Sequence, residues 1–245
     1  MRSGEWHLVS PIGAPSRNCR NRVSGGHQAG DGMSIVVAIV GSDSAVVATD
    51  SRCVEPDGSV RDDFRKAFTM EDRHAIGGHS GLLQIRGRPI ADLLNELPFD
   101  RIRTIDDLAA EAMTLLEESL SNIDPVDVVL EWRKVDVILV ARPGLDQRGR
   151  PVIRAVVLRP DQSTGRVVGV IRDFACGWCA TGDDAAMGSV INQLKCHRPR
   201  PGQLPGPRLK ALARRLVYLG IATAGTDPRF PTVRTCGGPE CVVSL

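Results

Sequence analysis

The stretch Ser34–Arg52, SIVVAIVGSDSAVVATDSR, decides the reading of this chain. Two apolar runs, Ile35–Val40 and Ala45–Thr49, flank the turn-forming GSDS, so the pattern predicts a β-hairpin. Ser34 opens the first strand. Asp50 follows it by sixteen residues, at the end of the second strand, and Lys66 follows Asp50 by another sixteen. Residues 1–32 are rich in Gly, Ser, Arg, Asn and Pro and have no apolar period, which predicts disorder. The folded domain is therefore expected over 34–245, with 1–33 a disordered extension, a propeptide or a mis-annotated start. Met33 before a small residue favours the last of these, with synthesis starting at Met33. A chain that begins at Ser34 would carry a hydroxyl and a free amine on one residue.

Downstream, a strand pair Lys66–Met70 and His74–Gly78 is expected around the turn Glu71-Asp72, followed by a glycine-bounded loop, GGHSG (77–81), and a helix over Leu82–Leu97. The segment TIDDLAAEAMTLLEESL is the clearest helix. Ile105, Leu108, Ala109, Ala112, Leu115, Leu116 and Leu120 share one face at 3.6 spacing, with Thr104 as N-cap and Asp107 at the third helical position. Strands follow at 135–141, 152–158 and 167–174, broken by turns such as RPGLDQRGRP; then come helices near 183–195 and 207–222, and a last strand, ECVVSL. Strands in consecutive runs imply antiparallel pairing, and helices arriving in pairs imply covering layers. The fold class expected is α+β, a four-layer αββα sandwich with two antiparallel sheets between two helical layers.

Composition narrows the function. A formal charge of +2 gives no ground for binding nucleic acid or an anionic membrane, and 4% aromatic residues leave little for base stacking. No apolar run reaches the roughly 20 residues that span a bilayer. The first residues lack the apolar core of a secretory signal, and seven cysteines are an odd number, so reduced thiols in a cytoplasmic protein are expected. Cys176-Gly177-Trp178-Cys179 has metal or redox spacing, with Cys196, His197, Cys236 and Cys241 as further ligands. The second pair is too widely spaced for zinc, so small buried hydrophobes are expected, with no metal and no cofactor. His79 reads as a surface histidine, and Arg198, Arg200 and Arg208 as a solvated basic loop.

Ser34 at the head of a strand, Val46–Arg52 (VVATDSR), Lys66 and Gly78-His79-Ser80-Gly81, in register without a gap, resemble the start of a proteasome β-type subunit of the bacterial kind. The resemblance covers about residues 34–245. It implies an N-terminal nucleophile hydrolase cleaving peptide or amide bonds, in a ring-like homo-oligomer. By it, Ser34 is the nucleophile after removal of 1–33, Lys66 favours the deprotonated hydroxyl, and Asp50 holds the lysine. Ser80 offers its backbone N–H to the oxyanion. Thr181, in CATGDDAAM (179–187), supplies a supporting hydroxyl; Asp227 is the second supporting carboxylate, with Thr223 an alternative. Cys53, Phe68, Gly78 and Leu82 line the substrate pocket.

The chemistry stands without the family. A serine hydroxyl needs a base to take its proton, and an α-amine, with a pKa of about 8, is partly neutral near pH 7. Singly, each residue has a plainer role: Ser34 opens a strand, Asp50 and Ser51 end one, and Lys66 guards an edge. Their joint register favours the chemical reading. Two alternatives share the fold, a small-molecule C–N amidase and a catalytically silent assembly subunit.

Overall fold

The computed structural model describes residues 34–42, 44–55, 57–70, 75–123, 134–141, 151–161, 163–164, 166–173, 177–227 and 229–245. The expected extension 1–33, the turns at 71–72 and 142–150, and Cys176 lie outside them. The opening run forms the predicted hairpin, β1 (Ile35–Val40) and β2 (Ala45–Thr49), antiparallel with Val36 opposite Thr49. Short strands β3 (Cys53–Val54) and β4 (Val60–Arg61) pair next. Then come β5 (Ala67–Met70) and β6 (Ala75–Gly81).

Two expectations fail here. GGHSG is not a loop: β6 runs through it to Gly81, pairing with a neighbour strand on each side. Leu82–Leu97 is not one helix. It holds a tight hairpin, β7 (Gln84–Ile85) and β8 (Arg88–Pro89), and then the five-residue α1 (Ile90–Leu94). Arg86 and Gly87 both take positive φ, 53° and 74°, which a helix interior does not accept.

Helix α2 (Ile105–Ser121) forms as its pattern predicts, with Thr104 and Asp107 making a reciprocal capping box. Strands β9 (Val135–Ala141), β10 (Val152–Pro160), β11 (Val167–Asp173) and β12 (Trp178–Gly182) follow. Helices α3 (Asp184–Cys196) and α4 (Gly206–Thr223), the hairpin β13 (Thr226–Asp227) and β14 (Phe230–Arg234), and β15 (Cys241–Ser244) complete the order.

The chain is thus mixed α+β with antiparallel sheets. One runs β12-β1-β2-β15, the other β11-β10-β9-β6-β5. Side-chain alternation explains why β1 is apolar at every position. Ile35, Val37 and Ile39 pack with the α3 and α4 residues Val190, Leu209 and Leu216, whereas Val36, Ala38 and Val40 meet Ile76, Ile138 and Val140 of the second sheet. On the far side of that sheet, Val135, Val137 and Leu139 pack with Leu108, Leu116 and Leu120 of α2. Both faces of each central strand are buried, so burial rather than polarity patterning shaped these sequences. A Cβ at Gly78 would meet Val36, Val47 and Thr49 at 2.9, 2.8 and 3.1 Å, so a glycine there lets the sheets close.

Candidate active site

Hairpin register builds the first half of the site. With Val36 opposite Thr49, Asp50 falls opposite Ile35 and beside Ser34. The Asp50 backbone N–H donates to the Ile35 carbonyl at 3.3 Å, and the Ile35 N–H returns a bond to Asp50 Oδ1 at 3.0 Å. Lys66, just before β5, arrives from the other sheet. Its Nζ lies 2.8 Å from Ser34 Oγ and 3.0 Å from Asp50 Oδ1. Asp50 and Lys66 are 0% exposed and Ser34 1%, so in the full chain the ion pair and the hydroxyl are buried together. The three residues that sixteen-residue spacing singled out meet in one hydrogen-bonded line.

Further backbone donors hold the carboxylate. Asp50 Oδ2 accepts from the N–H groups of Arg52 at 3.3 Å and Gly237 at 3.2 Å. Gly237 comes from 187 residues away, and its own carbonyl accepts from Ser51 N–H at 3.2 Å. A Cβ on Gly237 would overlap the Arg52 guanidinium, which is itself fixed by two 2.7 Å bonds to Asp62. Nothing near Ser34 in sequence signals Gly237; the only cue is the pair Gly237-Gly238 before the last strand.

Strand β12 closes the other side of Ser34. Gly182, at φ 140°, sits where any Cβ would overlap the Ser34 carbonyl oxygen, and Asp183 N–H donates to that oxygen at 2.8 Å. The Asp183 side chain caps α3 through Ala186 N–H at 2.9 Å and accepts from Thr235 Oγ1 at 2.7 Å. It therefore ties the helix start to the C-terminal segment. Thr181 hydroxyl donates to Asp136 Oδ2 at 2.6 Å, and Arg159 Nη2 lies 2.9 and 3.0 Å from the two oxygens of that carboxylate. Asp136 escaped the sequence reading, although a lone acid inside VDVILVA was a visible signal.

Other expected residues are placed differently. Strand alternation sends Ser80 N–H toward β9, since Leu82 N–H, two residues on, bonds Lys134 there at 2.9 Å. His79 N–H points the opposite way, to the Lys66 carbonyl at 3.1 Å. Gly81 N–H follows His79 by two and so faces the Lys66 side, past the first residue of β5. The Asp227 carboxylate, 0% exposed, is engaged by Arg229 at 2.6 and 3.0 Å. Thr223, its alternative, donates to the Leu219 carbonyl at 2.9 Å, within its own helix. Gly78 lies at the sheet-to-sheet contact rather than on an open wall. Phe68 is buried in the α2-side core, and Leu82 is half-buried against it.

Cys53 and Cys236 feel the Lys66 charge, but burial dominates: it pushes the Cys53 thiol up to about 11 and Cys236 well above the ordinary thiol range. Both are protonated apolar neighbours at neutral pH. No cluster of three or more metal-ligating side chains occurs among the described residues.

His79 is the clearest correction. It is 0% exposed rather than on the surface, its ring centroid is 6.2 Å from that of Phe68, and neither ring nitrogen has a hydrogen-bond partner among the described residues. Burial first, and the Lys66 charge second, push its pKa down to about 3 from an ordinary 6.5. The unfolded chain therefore binds this proton below pH 6.5 while the folded one does not, so stability falls as pH drops from 6.5 toward 3. Between pH 7 and pH 5 the native chain should lose about 2 kcal/mol that His79→Leu retains. Urea unfolding of both proteins at the two pH values measures the difference; equal losses would place the histidine in contact with water.

No protein-family profile and no curated protein sequence matches the chain. Among solved structures it is similar to eukaryotic HslV from Trypanosoma brucei, with a TM-score of 0.51 and 12% identity, over 86% of this chain and 98% of that one. No helix among the described residues is long and apolar enough to cross a membrane. At 12% identity the likeness is one of fold.

Proposed function

We propose that this chain is an N-terminal nucleophile hydrolase of the proteasome β type, a four-layer αββα sandwich over residues 34–245 in which Ser34, as first residue, cleaves peptide or amide bonds. The observation that carries the reading is Lys66 Nζ at 2.8 Å from Ser34 Oγ, backed by a buried Asp50. A structural serine at a strand start has no need of a buried ammonium on its hydroxyl. The three apolar clusters, helix–sheet, sheet–sheet and sheet–helix, support the layering, and the fold shared with HslV is the one expected of such a hydrolase.

The Ser34 amine, once free, takes the hydroxyl proton directly or through water, while the Lys66 ammonium favours the alkoxide by charge. Oγ attacks the carbonyl carbon, and the oxyanion needs a preorganised N–H. By strand alternation that donor is Gly81 rather than Ser80. Collapse expels the amine, which leaves with the proton held by the Ser34 ammonium. Water then hydrolyses the Ser34 ester by the same proton route in reverse. Thr181, tied to Asp136, positions the end of β12 beside the nucleophile. The active particle is a soluble, cytoplasmic, ring-like homo-oligomer, and residues 1–33 are absent from it.

Removal of 1–33 gives the direct test. Protein produced to begin at Ser34, verified by intact mass, should turn over fluorogenic peptides or acyl amides, and the same protein with residues kept before Ser34 should not. Equal turnover by the two forms would refute the amine as base.

A further inference from the structure

Helices α2 and α4 carry opposite charge in the same pattern. Helix α2 has five acidic residues and no basic one; α4 has four basic residues and no acidic one. The imbalance extends along the chain around α4. From Ala185 to Thr226 there is no Asp or Glu, against seven Lys and Arg. A chain of formal charge +2 thus concentrates its positive charge on the α3–α4 side and its negative charge on α2.

The local match is closer still. Glu111, Thr114, Leu115 and Glu118 of α2 have the spacing of Arg208, Ala211, Leu212 and Arg215 of α4: charge, small residue, leucine, charge. In both helices the two charges are seven apart, on one face and about 10.5 Å from one another along the axis. Glu111, Glu118, Arg208 and Arg215 are all exposed, and none of the four side chains has a hydrogen bond or ion pair among the described residues. Between the two arginines lies a depression of about 290 Å³ floored by Pro199, Leu204, Ala211 and Leu212. Between the two glutamates stands Leu115, half-buried and presenting its remaining surface.

We propose that the occupant of the α4 groove is helix α2 of a second copy of this chain, with Leu115 seated on the apolar floor and Glu111 and Glu118 paired with Arg208 and Arg215. Charge complementarity selects this partner over a two-fold contact of α4 with itself, which would set an acid-free surface against its own like. The contact joins two different surfaces, so each copy offers one donor and one acceptor face, and copies add head to tail. The proposal deepens the homo-oligomer part of the proposed function as a contact that stacks copies, because α2 and α4 cover opposite outer sides of the two sheets, and it is independent of the chemistry at Ser34.

Charge reversal tests it. Arg208→Glu with Arg215→Glu makes both faces acidic, and Glu111→Arg with Glu118→Arg makes both basic. Each double variant alone should self-associate at least tenfold more weakly than the native chain, because like charges then meet across the contact. An equimolar mixture of the two should regain native-like assembly, since acidic faces then meet basic ones. Sedimentation velocity of full-length protein at low salt reads all three states, and 0.5 M salt should weaken the native assembly because both pairs are exposed. If the native chain is multimeric and either variant stays equally so, another surface assembles it: the homo-oligomer stands and this contact is overturned. A native chain monomeric at low salt overturns both, and a mixture that stays dissociated overturns the residue pairing.

Discussion

In the chain that begins at Ser34, Ser34→Ala should lower turnover of peptide or amide substrates by about 10⁴-fold or more while leaving the fold intact. The two halves of this expectation rest on different observations. Activity depends on the single oxygen that Lys66 Nζ approaches at 2.8 Å, and among the described residues no other hydroxyl is placed on that ammonium. Stability does not depend on it to the same degree. Losing one buried hydrogen bond costs about 1 kcal/mol, and Lys66 keeps its 3.0 Å partner Asp50. At about 2–4 °C per kcal/mol for a domain of this size, the melting temperature should move by only a few degrees. Ser34→Thr is the companion variant. It restores the hydroxyl, adds a methyl that narrows χ1, and should recover most of the activity. Alanine that retains turnover would place the nucleophile elsewhere. Threonine that stays as inactive as alanine, in a folded protein, would mean that the site tolerates no added volume.

Much of this site was legible because its key residues sit at strand ends. Asp50 lies opposite Ile35 once the β1–β2 hairpin closes, so a short-range turn fixes half the arrangement. Lys66 stood out by its sixteen-residue interval, but its place beside Ser34 came only from the resemblance, because that contact crosses between sheets. The misreadings have separate physical origins. Gly77-Gly78 looked like loop sequence, but glycine there answers to sheet contact: a Cβ at Gly77 would press on Phe68 and one at Gly78 on Val36 and Val47. His79 was read as exposed because histidine usually is, whereas β6, paired on both sides, buries it completely. The Leu82–Leu97 stretch has apolar residues enough for a helix, yet Arg86-Gly87 turns it back after four residues. Gly237 and Asp136 were missed for a simpler reason. Their partners, Asp50 and Thr181, lie 187 and 45 residues away, so the local cues, a Gly-Gly pair and a lone acid in an apolar strand, did not say what they meet.

Asp50→Ala should be the most destabilising single change at the site, by about 3–5 kcal/mol, as expected when one partner of a buried ion pair is removed. The aspartate does more than face the lysine. Its two oxygens accept from Ile35, Arg52 and Gly237 N–H groups as well as from Lys66, all at 3.0–3.3 Å. Alanine leaves three buried backbone donors without an acceptor, and the buried ammonium with the Ser34 hydroxyl as its remaining partner and no counter-charge. At about 2–4 °C per kcal/mol, thermal unfolding should fall by roughly 6–20 °C. Adding Lys66→Met removes the stranded charge, so the double variant should be more stable than the sum of the single losses, with a coupling of about 1–3 kcal/mol. Asp50→Asn keeps one acceptor oxygen and the shape but not the charge, and should fall between native and alanine. Melting curves of the native chain, Asp50→Ala, Lys66→Met, the double variant and Asp50→Asn decide. An alanine variant within two or three degrees of native would show that water reaches the pair and hydrates the lysine. The contrast with Ser34→Ala then separates the roles: the serine is dispensable to the fold and needed for turnover, whereas the carboxylate that positions its lysine also joins β1, β2 and the C-terminal segment, so losing it removes both.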